Sequence, residues 1–165
     1  MTEANRPALH SGGCQCGRIR YALYAAPEGT HLCHCRMCQK AVGGPFAALA
    51  PVRLRDFAWT RGTPETYLSS TAAARDFCAA CGTPLTFRYL DSEWIDVTLG
   101  SLDRPAEVPP GLHLGVESRL PWLDRLAELP RETTQANISP ERAARLKNRQ
   151  HPDHDTPPDW RPPTG

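Results

Sequence analysis

Residues 75–90, RDFCAACGTPLTFRYL, read as a strand, a tight knuckle and a second strand. Cys78 and Cys81 stand two residues apart, so the backbone can turn its N–H groups toward both sulfurs. Gly82 follows, ready for the positive φ that such turns often need. One knuckle supplies two metal ligands and needs two more. The competing reading is a redox-active C-x-x-C, but such motifs open a helix in a βαβ setting that these residues do not spell.

Working outward, GGCQCGRIRY (12–21) holds Cys14 and Cys16, too close together for an ordinary disulfide. They are the remaining group of two, and with Cys78 and Cys81 they complete a tetrahedral site of four cysteines. Such a site has no open position, so its expected role is a structural staple between the first strand and the middle of the sheet.

The third group is CHCRMC (33–38), with Cys33, Cys35 and Cys38. Three protein ligands with an exchangeable fourth position are the composition of a catalytic zinc site. Three thiolates leave zinc a weak Lewis acid, better matched to a soft sulfur nucleophile than to making hydroxide. The alternative is a closed site of three cysteines and one histidine, using His34 or a distant histidine. His34 is squeezed between two ligands, which argues against it in that role.

Around these groups the pattern is of short strands. RIRYALYA (18–25) alternates Ile19, Tyr21 and Leu23 against Arg18, Arg20 and Ala22. FAALAPV (46–52), ETYLSS (65–70), EWIDVTLGSL (93–102) and LHLGVES (112–118) read as further strands, with one short helical turn near Arg36–Lys40. The fold class is therefore mostly β. SPERAARLKNRQ (139–150) is the one clear helix, with Ser139 as its cap and Pro140 in its first turn. The expected organisation is a flexible lead-in over 1–8, a zinc-binding domain over 9–125, an extension with the helix over 126–150, and a disordered proline-rich tail over 151–165.

The chain has 165 residues, enough for one domain with a real core. Lys and Arg number 19 against 18 Asp and Glu, which gives no push toward nucleic acid or an anionic membrane. The sequence reads as holding neither a spanning helix nor a signal peptide, and on that reading seven cysteines are expected as reduced thiols in the cytoplasm. Nothing in the sequence speaks to oligomeric state.

GGCQCGRIRY, CHCRMCQKAVGGPF, FCAACGTPLTF and HLGVESRLPW (113–122), in that order and spacing, resemble the glutathione-dependent formaldehyde-activating enzyme family, which includes centromere protein V. The resemblance covers about residues 9–125. It implies a β-tent fold and two zinc ions per chain: a structural one on Cys14, Cys16, Cys78 and Cys81, and a catalytic one on Cys33, Cys35 and Cys38. It also implies a carbon–sulfur lyase acting on a small thiol such as glutathione and an aldehyde such as formaldehyde, as in an S-(hydroxymethyl)glutathione synthase. The alternative function is a non-catalytic zinc module that binds a protein partner.

Addition to an aldehyde needs a proton for the developing alkoxide. His34 and His113 are the candidate donors, although a backbone-bonded turn histidine and an ordinary strand histidine are the plainer readings. Arg36, Lys40 and Arg119 are candidate contacts for the carboxylates of a glutathione-like thiol. Gly43–Pro45 reads as a pocket wall or a plain turn. Trp122 is expected in the core, and His151 and His154 are expected to have no role.

Overall fold

The structure, a computed structural model, describes residues 6–162. Ten strands form two sheets, the mostly β architecture expected. β1 (His10–Gly13), β2 (Arg20–Leu23) and β5 (Phe57–Arg61) make a small antiparallel sheet in the order β1-β2-β5. The larger sheet runs β10-β3-β4-β9-β8-β7-β6. Its strands are β3 (His31–Cys33), β4 (Ala47–Arg53), β6 (Glu65–Ser70), β7 (Ala73–Phe77), β8 (Pro84–Tyr89), β9 (Trp94–Thr98) and β10 (Leu112–Leu114). Its neighbours are antiparallel except β10, which lies parallel to β3.

The core sits between the sheets. Tyr21, Leu23, Ala50, Val52, Leu85, Ile95 and Val97 meet there, fully or almost fully buried. Tyr21 stacks on Phe57 at 5.6 Å and meets Trp59 edge-on, while its hydroxyl lies 2.7 Å from Ser101 Oγ. On β4 and β9 the period of two sends alternate residues outward, and on β8 a bulge opposite Asp76 and Phe77 puts Leu85 in the core and Phe87 on the outer face. Leu49 on β4, Ala73 and Arg75 on β7, Phe87 on β8 and Trp94 and Asp96 on β9 all line a cleft on its outer face. Pro51 costs the central strand β4 no ladder bond on the β3 side, because the β3 pairing ends at Leu49.

Several features differ from the sequence reading. β1 and β5 are strands where none was expected. Arg20 does not face solvent; it is 2 % exposed, because Asp103 grips its guanidinium with both carboxylate oxygens and Asp155 adds a third contact at 2.6 Å. Trp122 is 51 % exposed, since the 3-10 turn over Pro121–Glu128 buries Leu123 instead.

The expected loose tail also differs. Residues 151–162 lie against the body. His151 is 4 % exposed, donates its backbone N–H to the Gln15 carbonyl at 2.7 Å, and meets Trp160 edge-on. Arg61 donates to the Thr156 carbonyl at 2.5 Å. Residues 1–5 of the expected lead-in and 163–165 of the tail fall outside the described residues, while Arg6 pairs with Asp56 at 2.7 Å. α2 (Pro140–Arg145) is capped by Ser139 as expected, its hydroxyl accepting from the Arg142 N–H. Among the described residues, no helix is long and apolar enough to cross a membrane.

Candidate metal centres

The C-A-A-C knuckle forms between β7 and β8. Cys78 N–H donates to the Thr83 carbonyl at 3.0 Å and Gly82 N–H to the Cys78 carbonyl at 2.8 Å, with Gly82 at φ +77°. The opposing loop after β1 closes in the same way, Gly17 N–H donating to the Cys14 carbonyl and Ile19 N–H to Cys14 Sγ at 3.3 Å. The two loops bring four sulfurs together. Cys14 and Cys16 Sγ stand 3.6 Å apart, Cys16 and Cys78 3.8 Å, and all four lie within 4.8 Å of one another. A tetrahedron with zinc–sulfur bonds of about 2.3 Å has edges of about 3.8 Å, so the set fits such an ion. Burial opposes ionisation of Cys81, but Thr83 and backbone N–H groups outweigh it and bring the thiol down to about 6.

The second cluster lies between β3 and α1 (Arg36–Val42). Cys35 caps the helix, accepting from Cys38 N–H at 3.4 Å. Cys33 and Cys35 Sγ are 3.6 Å apart, and the three sulfurs with Cys38 lie within 4.8 Å of one another. No histidine or carboxylate joins this group among the described residues. Burial pushes the Cys33 thiol up to about 12. At Cys35 burial is outweighed by the N–H and side chain of Cys38, which hold that thiol below its usual range. The donor set again suits a borderline-soft divalent ion, with three chain ligands.

Both clusters border a hollow, Cys14 and Cys81 one of about 420 Å³, but they differ in ligand number and in the character of the walls. Cys33, Cys35 and Cys38 line the outer-face cleft, a cavity of about 680 Å³. Its walls are largely apolar: Met37, Leu49, Phe87, Tyr89, Trp94 and Leu114.

His34 and His113 are brought together, His34 Nε2 and His113 Nδ1 lying 2.8 Å apart. Neither lines the cleft. His34 is 1 % exposed, against Phe46, and burial, then the nearby His113 and Arg119 charges, lower its basicity. Its backbone anchors the cysteine loop: His34 N–H donates to the Leu114 carbonyl at 2.8 Å, and buried Gln39 donates its amide to the His34 and Ser118 carbonyls. The HLGVES stretch is thus the brace of the three-cysteine loop.

None of the three candidate cations lines this cleft. Arg36 and Lys40 line an adjoining cavity that shares Met37 and Arg75 with it, Arg36 also bonds Gln39, and Arg119 pairs with Asp124 at 2.7 Å. Gly43, Gly44 and Pro45 wall a shallow hollow beside Trp122. What the sequence reading missed is inside the cleft. Arg75 donates to Cys38 Sγ at 3.3 Å and lies over the Phe87 ring at 4.7 Å. His31 donates its Nδ1 hydrogen to the Gly29 carbonyl at 2.9 Å, and Asp96 shares the lining. Burial holds the Asp96 carboxyl above its usual range against the opposing pull of His31 and Arg75. The available signal was register: Arg75 and Asp96 occupy the outward letters of β7 and β9.

Residues 9–118 match the family described as glutathione-dependent formaldehyde-activating enzyme. The chain belongs to that family. Among curated proteins it is similar to an uncharacterized lyase of Schizosaccharomyces pombe, 29% identical over 84 residues, 51% of this chain and 61% of that protein. The chain thus aligns with about three fifths of that relative's length. A crystal structure of a Rhodobacter sphaeroides protein shares the fold, with a TM-score of 0.51 and 24% identity, covering 62% of this chain and 98% of that one.

Proposed function

We propose that the chain is a zinc-dependent carbon–sulfur lyase that makes or breaks thiol–aldehyde adducts, with two zinc ions per chain. The observation that carries this reading is the contrast in ligand number: four sulfurs complete one set, while three, with no fourth chain ligand among the described residues, line a cleft large enough for a small thiol. Family membership supports the same direction. Zinc on Cys33, Cys35 and Cys38 would supply a seat where a thiol is bound and made more acidic. Zinc on Cys14, Cys16, Cys78 and Cys81 would be structural.

The chain's own groups do the rest. In adduct formation the sulfur attacks the carbonyl carbon, a C–S bond forms, and the π pair moves to oxygen, which must take a proton. Asp96 holds a proton above the usual carboxylate range and lines the same cleft, so it is the donor in this reading. The proton lost by the thiol restores it. Arg75 holds Cys38, and the apolar walls exclude water from the adduct. His34 and His113 serve as positioning residues through the cysteine loop.

The test compares Cys38→Ser with Cys78→Ser, using metal content, melting temperature and thiol–formaldehyde exchange by NMR. Cys38→Ser is expected to keep the fold and lose exchange. Cys78→Ser is expected to lose the fold, as structural zinc sites contribute folding energy outright. Equal exchange by native protein, Cys38→Ser and buffer ends the lyase reading and favours a binding module.

A further inference from the structure

The cleft's chemistry bears on which thiol it takes. Glutathione brings two carboxylates, and each needs a cation or open water. The ionisable side chains lining this cleft are Arg75, His31, Glu28 and Asp96. Arg75 is the one guanidinium, and among the described residues it has no carboxylate partner; its Nε is buried without a hydrogen-bond partner. Arg36 and Lys40 line the adjoining cavity, which shares Met37 and Arg75 with this cleft, and neither lines the cleft itself.

The uncharged walls tell the complementary half. Phe87 and Tyr89 meet edge-to-face at 5.1 Å, and Trp94 stands on the adjacent strand. Tyr89 and Met37 are more than half and half exposed respectively, leaving aromatic and thioether surface toward the opening. A peptide-like thiol held in this cleft would bring its second carboxylate toward Glu28 and leave the exposed Tyr89 and Met37 surface unused. A thiol with a flat apolar body and one carboxylate matches Arg75 and the apolar walls.

We infer that the preferred thiol is a compact aryl or alkyl monocarboxylate, its carboxylate on Arg75 and its apolar body against Tyr89, Phe87 and Trp94, rather than glutathione. The inference rests on the lyase reading for the thiol itself, and binding separates the two.

The zinc-loaded full chain is titrated calorimetrically with 2-mercapto-3-phenylpropanoate, with 2-phenylethanethiol and with glutathione. The phenyl monocarboxylate is expected to bind at least about tenfold more tightly than glutathione. Arg75→Gln should lower its affinity about tenfold while leaving 2-phenylethanethiol within about twofold. Tyr89→Ser, at an exposed strand end, should weaken both phenyl thiols and spare glutathione. A smaller advantage over glutathione overturns the inference, as does an equal effect of Arg75→Gln on both phenyl thiols. Should Arg75→Gln not hold its metal, the native ranking and Tyr89→Ser decide. If the ranking holds but no thiol exchanges with formaldehyde, the lyase reading fails and the binding inference stands.

Discussion

Arg20 shows how much one side chain can decide. It is buried with Asp103 held bidentate, and Ser11 donates to the same carboxylate at 2.6 Å. Burial alone would raise the Asp103 carboxyl, but Arg20 and Ser11 more than offset it and hold the group below its usual range, with His151 adding a smaller pull. A carboxylate depressed in the folded state stabilises fully above its unfolded value, near 4, and loses that contribution as pH falls through the folded one. Stability against urea should therefore drop on acidification below about pH 4, and Asp103→Asn should flatten that limb. Arg20→Leu leaves Asp103 buried and unpaired, with an expected loss of about 3–5 kcal/mol at neutral pH, read from urea midpoints. Asp155 is largely exposed, so Asp155→Asn should cost less than about 1 kcal/mol.

At the scale of elements, Gly115 links strand to site. It sits at φ +64°, and a Cβ there would stand 2.8 Å from Cys35 N. Gly115→Ala should push the three-cysteine loop off β10 and weaken metal at that cluster by about tenfold or more, with the four-cysteine ion retained. Metal content after mild chelation checks this. The same elements show what the sequence made readable. Cys78-x-x-Cys81 with Gly82 forces a local turn, so the knuckle and its flanking strands were legible, as was the Ser139 cap. β5 was hidden because its pairing with β2 is long-range and leaves no local mark beyond Phe57 and Trp59. Arg20 and Trp122 misled because a partner 83 residues away, or a 3-10 turn, overrode local pattern. The cleft went unseen for a related reason: Arg75, Phe87, Trp94 and Asp96 converge from three strands, and no spacing announces them.

At the scale of the whole molecule, residues 151–157 tie the late chain to the first metal loop. His151 bonds Gln15, between two of the cysteines, and Gly17 approaches so closely that a Cβ would meet the His151 ring at 2.3 Å. Ending the chain at residue 150 should remove about 2 kcal/mol, or about 4–8 °C in melting temperature, and speed metal loss from the four-cysteine site to a chelator. Unchanged melting and chelation would show that the strap carries no load. The large sheet has a broader consequence. Strands β4 and β9 write two messages in alternate letters, one read by the interior and one by the guest. Leu49 and Trp94 can be rewritten while Ala50, Val52, Ile95 and Val97 keep the frame, so appetite and architecture are free to drift apart.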